Sequence, residues 1–432
     1  MVEERDLLER HQASVSESMQ ILMYSFGMDS QEGATMHGVD GDEAIDFFAA
    51  WAVGNTGYRH PAVVERIEEQ LARGYTNSPL SVLHEPVVEL AERLCARLPG
   101  EFPTKAWLGH AGSDAGDLVA RAVPAVGDGE VLLTFEGSYH GALSGSSGIS
   151  GHSGEATARN AVTLPFPEQP HPDRPGTTSL EESIEAAKAA FESEDVAGLV
   201  TEPLQSDGGM RVPPDGFLEA LADLCADADA YLVVDEVKAG LGRTGEFFAF
   251  EHADVEPDAV MLGKPLGSGL PISALVGRSE LVDYQPATHL MTTAGAPLCA
   301  AAANGTIDAI EADGLPERAA RLGDRLHEAL RAETADVAAV RDVRGRGLMQ
   351  GVELVDPETG APDADRTART ALRARQLGLL LAYVGMDSNV LEITPPLTIP
   401  EPLLKEGVAR LGRAIREADQ VGERLLAPFA GW

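Results

Sequence analysis

The middle of the chain alternates short apolar runs with amphipathic stretches. Val131–Phe135, Ala197–Thr201, Tyr231–Asp235, Ala259–Leu262 and Ile272–Val276 read as strands, because each run is too short for a helix and is bounded by polar or turn-forming residues. Between two of them, Pro214–Asp227 predicts a helix opened by proline, with Phe217, Leu218, Leu221 and Leu224 on one face. Strand, helix, strand is a crossover unit, and continuous apolar strands imply a mostly parallel sheet flanked by helices. Gly151–Thr178, rich in Gly, Pro and His, predicts an excursion over the surface. After Pro297 the pattern changes to a long Ala-rich helix, strand-like Gly347–Leu354, a helix around Thr367–Leu377 and a final helix over Pro402–Ala418. The expected architecture is α/β. A large domain spans 55–310, and a smaller α+β domain is made from both termini, 1–54 and 311–432.

Composition narrows the class. A chain of 432 residues, 44% hydrophobic, can bury a large core. It contains no run approaching the ~18 to 20 apolar residues of a membrane span, and Met1–Gln12 is charged rather than an apolar secretory core, so a cytoplasmic enzyme is expected. Cys95, Cys225 and Cys299 are odd in number and lack metal-ligand spacing; they predict free buried thiols, with neither a disulfide framework nor a metal site. A net charge of -36 argues against nucleic acid or an anionic membrane as partner. Acidic residues run through the whole sequence and basic character comes almost wholly from Arg, a surface suited to high salt. Lys105, Lys188, Lys238, Lys264 and Lys405 are the only lysines, which makes each one informative.

Three segments carry candidate chemistry. Gly109-His110-Ala111-Gly112-Ser113-Asp114-Ala115 opens a helix whose free N–H groups and hydroxyl make a phosphate cup; a Ser N-cap with an acidic first turn explains the same residues structurally. Asp235 ends an apolar strand of a parallel sheet, where ligands collect, and suits a metal, a ribose or a cofactor. Lys264 lies just beyond the next strand, 29 positions on, in the Gly/Pro-rich turn Gly263-Lys264-Pro265-Leu266-Gly267. A lysine amine desolvated in such a turn is poised to form an imine with an aldehyde; the alternative is a surface lysine.

Asp235-Glu-Val-Lys-Ala-Gly-Leu-Gly-Arg243-Thr244-Gly245, followed by Leu262-Gly-Lys264-Pro-Leu-Gly-Ser-Gly-Leu-Pro271, resembles the signature of the class III (ω-type) aminotransferases of pyridoxal-5'-phosphate (PLP) fold type I. The likeness extends from Asp40-Gly41 to Pro395-Pro396-Leu397-Thr398-Ile399. It implies that Lys264 holds PLP as a Schiff base and serves as base at the substrate's Cα, and that Asp235 pairs with the pyridine nitrogen. Gly112 and Ser113 match the phosphate cup, Tyr139 of Ser138-Tyr139-His140-Gly141 the ring that stacks on the pyridine, and His140 its flank. Thr292 matches a threonine that reaches the phosphate of a neighbouring subunit, which implies a homodimer with shared active sites, or a tetramer built from such dimers.

Several residues depart from the family pattern. Lys238 stands where a Gln usually lies near the cofactor's phenolic oxygen; it can stabilise a phenolate or pair with a carboxylate. Glu392 stands where an Arg commonly grips the substrate carboxylate and alternates with the glutamate of the Glu202-Pro203 motif; this leaves open that Glu392 balances Lys238 and that another arginine binds substrate. Asp207 resembles the aspartate that related racemases and epimerases use opposite the lysine, and equally reads as a cap on the Gly208-Gly209 turn. Trp51 either lines the substrate pocket or packs in the core. The first expectation is an aminotransferase moving an amino group between an amino acid or amine and a 2-oxo acid. The alternative is an amino-acid racemase or epimerase using Lys264 and Asp207 as two bases. A non-catalytic nucleotide-binding protein would require the Lys264 turn to be incidental.

Overall fold

The structure is a computed structural model that describes residues 3–19, 21–75, 78–152, 156–169, 171 and 177–422. A seven-stranded sheet forms its centre: β1 Thr104–Gly109, β2 Val131–Phe135, β3 Ala161–Leu164, β4 Val196–Thr201, β5 Tyr231–Asp235, β6 Ala259–Leu262 and β7 Ser273–Arg278. Their order in space is β1-β7-β6-β5-β4-β2-β3. All neighbours from β6 to β3 run parallel, and β7 is antiparallel to both β6 and β1. Only ten residues join β6 to β7, too few for a helical crossover, so the strand returns in the opposite sense.

The expected strands are present, with β4 starting one residue earlier and β7 shifted to Ser273–Arg278. Three expectations are corrected. The helix placed over Pro214–Asp227 begins only at Phe217, because Gly216 takes φ +88°, a left-handed geometry that cannot continue a helix. The excursion Gly151–Thr178 contains β3, which extends the sheet beyond β2 through Leu132 to Ala161 and Phe135 to Leu164. The long Ala-rich helix after Pro297 is two helices, Pro297–Ala312 and Leu315–Thr334, broken at Gly314, φ +54°.

The two ends of the chain meet in a small sheet, where Glu43–Asp46 pairs in parallel with Leu379–Leu380. A further antiparallel sheet gathers Val340–Arg346, Met349–Leu354, Val390–Ile393 and Ala382–Val384. Fully buried Arg243 ties these parts together: it donates from Nη1 to the carbonyls of Leu348 and Pro395, 2.8 and 2.5 Å, and from Nη2 to Asn55 Oδ1, 2.6 Å. Cys225 is buried while Cys95 and Cys299 are half-buried, and all three are free thiols.

Candidate active site

The functional side chains hang from one edge of the central sheet. Ser138–His140 follow β2, Glu202 follows β4, Asp235 ends β5, and Lys264 follows β6. Because these strands are parallel, all four carboxyl ends open to the same side, the place where α/β sheets bind ligands. β1 ends there too and leads through Ala111 into the helix Gly112–Val126.

A cavity of about 320 Å³ lies at this edge, lined by Gly112, Ser113, Tyr139, His140, Glu202, Asp207, Asp235, Val237, Lys238 and Lys264, with Pro271 and Ile272 of the β6–β7 return. Nine of the twelve residues singled out in the sequence thus converge, Glu392 meets them through Lys238 and Trp51 lies in the adjoining chamber. Thr292 does not join them: it is exposed, and its carbonyl accepts from Ser78 Oγ at 2.8 Å. Val237 and His152 escaped the sequence reading. Val237 packs on Gly112, where a Cβ would come within 2.6 Å of its Cγ1. His152 stands edge-on to the Tyr139 ring at 6.0 Å, inside a segment without periodicity.

Two clusters of charged residues lie at the cavity. On the inner side, Asp235 Oδ2 is 2.7 Å from His140 Nδ1, and Asp235 Oδ1 accepts from Val237 N at 2.9 Å. Beneath them Glu202 accepts from the N–H groups of Tyr139 and Ser206 at 3.0 and 3.3 Å. Burial, reinforced by the charge of Asp235, pushes the Glu202 carboxyl up to about 7. On the outer side, Lys238 Nζ lies 2.9 Å from both Asp207 Oδ1 and Glu392 Oε2, and Lys264 Nζ is 4.0 Å from Asp207 Oδ2. Burial pushes Asp207 up, yet the ammonium groups of Lys238 and then Lys264 outweigh it and hold the carboxyl at about 2. Burial lowers Lys264 below the usual lysine range; Asp207 opposes this and Lys238 adds to it. Lys238 is held above its ordinary range, since Asp207 and then Glu392 more than offset burial.

These residues suit PLP. The first turn of the helix Gly112–Val126 brings backbone N–H groups and the Ser113 hydroxyl to the cavity wall, where a phosphate fits. Gly263 packs so closely on Gly112 that a Cβ there would come within 3.1 Å of Gly112 N. The floor is shaped by backbone and small residues, Tyr139 and Val237 provide surfaces for a ring, and Lys264 provides the amine. Among the described residues no cluster of His, Cys, Asp or Glu is arranged for a metal ion.

A larger chamber of about 520 Å³ adjoins the cavity and shares Val53 and Gly269 with it. Its walls include Tyr24, Phe26, Met36, Phe48, Trp51 and Leu380. Trp51 is half-buried and its ring centre is 5.3 Å from Lys238 Nζ, so this residue stands between the two spaces.

The model of aminotransferase class III matches residues 17–415. Among curated relatives, the leucine/methionine racemase of Thermococcus litoralis is 37% identical over 93% of both chains. The 5-aminovalerate aminotransferase of Pseudomonas aeruginosa is 34% identical over 95% of this chain and 98% of its own. A solved Bacillus anthracis aminotransferase superposes with TM-score 0.84 at 26% identity, covering 96% of this chain and 98% of that one. The chain belongs to the class III aminotransferase family and is a pyridoxal-5'-phosphate enzyme of fold type I.

Proposed function

We propose that the enzyme transfers an amino group between a hydrophobic amino acid, or a related amine, and a 2-oxo acid. The observation that carries this reading is the half-buried Lys264 amine lining the same cavity as the Asp235–His140 pair. PLP, when bound, supplies the electron sink for a bond broken at the substrate's Cα. Asp235 is placed to keep a ring nitrogen protonated, with His140 fixing the carboxylate's orientation, and Lys264 moves the proton at Cα. The apolar chamber beside Trp51 supports a hydrophobic side chain as the preferred substrate group.

A second reading, a racemase or epimerase of such amino acids, has its own observation. Asp207 is ionised and 4.0 Å from Lys264, which supports a second base, and Glu392 cannot make the paired hydrogen bonds with which an Arg grips a carboxylate. The likeness to a leucine/methionine racemase points the same way. The proposal also includes a cytoplasmic homodimer adapted to high salt. Exposed Tyr75, Leu80, Leu83 and Val88, near the loop that carries Thr292, support a subunit contact there.

The test incubates the purified enzyme, loaded with PLP in molar KCl, with L-leucine or L-methionine, with and without pyruvate or 2-oxoglutarate. Transamination yields more than one equivalent of 2-oxo product per active site only when the oxo acid is present. Appearance of the D-enantiomer without any oxo acid would reject transamination as the main activity and establish the second reading. Lys264→Ala is expected to abolish both reactions and the visible absorbance of the lysine-bound cofactor.

A further inference from the structure

We propose that Lys238 and Glu392 form a buried clamp that keeps Asp207 an ionised carboxylate aimed at Lys264, making Lys238 a positioning residue. Its catalytic consequence rests on the second reading above, in which Asp207 carries a proton at Cα.

The geometry is closed on every side. Lys238 Nζ touches Asp207 and Glu392 equally at 2.9 Å, and its side chain is 4% exposed, too little for water to serve either carboxylate instead. Glu392 is fixed in turn: its Oε1 is 3.0 Å from Thr394 Oγ1, and it lies on the strand Val390–Ile393, paired with Gly351. The Trp51 ring covers the Lys238 ammonium. The backbone of Asp207 is pinned as well, its carbonyl accepting from Gly385 N at 3.0 Å. The other charged or titratable groups acting on or near Asp207 are Lys264, His152, Tyr139 and Glu202.

Charge counting shows what the clamp does. With Lys264 engaged by the cofactor, Lys238 is the cation in direct contact with both buried carboxylates. Without Lys238 the pair cannot both stay ionised. Glu392 keeps the field of buried Arg243 and the contact with Thr394, so the proton settles on Asp207. A protonated Asp207 cannot accept a proton from Cα.

Lys238→Gln keeps hydrogen-bond donors without the charge, which favours folding, and Lys238→Arg keeps the charge. Infrared spectra of loaded Lys238→Gln minus wild type at pH 6 should show one protonated-carboxyl band beyond those that Glu202 and Glu236, raised to about 7 and about 8, give in every variant. That band should be missing from wild type, from Lys238→Arg and from the double variant Lys238→Gln/Asp207→Asn. Solvent-deuterium exchange at Cα of L-leucine should acquire an acid limb in Lys238→Gln, roughly ten-fold slower at pH 6 than at pH 8.5, with Lys238→Arg restoring the wild-type profile. No such additional band in folded Lys238→Gln, or one that persists in the double variant, overturns the clamp. An unchanged pH profile in Lys238→Gln overturns its catalytic consequence. If Asp207→Asn alone leaves exchange untouched while the band behaves as stated, the clamp stands and the two-base reading fails.

Discussion

Lys264 sits at φ +35°, in the left-handed region that residues with a side chain avoid, at a cost of roughly 1–3 kcal/mol. Surrounding packing imposes it: Pro265, Leu266 and Gly267 are all buried, and the turn is locked by Leu266 N donating to Gly263 O. Asp235 faces this lysine from a strand end, and its value lies in a fixed negative charge. Asp235→Asn is expected to leave the fold intact and to slow Cα–H exchange roughly 100-fold or more, measured as deuterium uptake by L-leucine. Exchange within a few-fold of wild type would remove Asp235 from the machinery. Lys264, Asp235, Tyr139 and His140 were legible because each lies in a short motif with its turn or strand beside it. The partners of Lys238 were legible only as a suspicion, since they lie 31 and 154 positions away and are joined by the fold alone.

Among the elements, the segment before the cavity is the most unusual. Ala49, Ala50, Trp51 and Ala52 have φ of +45°, +52°, +63° and +61°, a left-handed turn built without glycine. Asp46 Oδ1 holds its start through the N–H groups of Phe48 and Ala49 at 2.8 and 2.9 Å, and Val53 N closes it on Ala49 O. The turn carries Trp51 to the chamber wall. Left-handed geometry costs an ordinary residue roughly 1–2 kcal/mol, against about 0.5–1 kcal/mol for glycine's greater freedom when unfolded. Ala50→Gly is therefore expected to stabilise the protein by about 0.5–1 kcal/mol, read from the denaturant midpoint in high salt. A lower midpoint would mean that the turn carries no strain at position 50. Neither this turn nor β3 was visible in the pattern: a run of alanines reads as ordinary helix, and four residues ending at Pro165 are too short to show an alternation. The core strands were visible because both faces are buried and every position had to be apolar.

For the whole molecule, charge is the dominant variable, with 69 acidic residues against 33 basic ones. Two buried carboxyls add a pH dependence of their own. Glu236 accepts from the N–H groups of Phe250 and Ala249 at 2.7 and 2.9 Å, yet burial pushes it from 4.5 up to about 8; Glu202 is raised to about 7. A carboxyl raised on folding binds its proton more tightly in the native state. Its stabilisation is complete below about pH 4.5 and disappears as pH rises through the native value. Between pH 5 and pH 8.5, wild type should lose about 1–3 kcal/mol more stability than Glu236→Gln, followed by thermal melting at constant high salt. Equal losses would place Glu236 outside this linkage.

Arg243 sets the scale on which the chain can be divided. One guanidinium, taken wholly out of water, is held at its two terminal nitrogens by Asn55 near the start, Leu348 in the C-terminal region and Pro395 beyond it. Cutting away either end strips partners from a charge that has no solvent to fall back on, a loss of several kcal/mol. Attempts to express the central sheet as a separate fragment should therefore yield insoluble protein. Two such fragments should regain solubility only when produced together, so that the missing acceptors return to the same arginine.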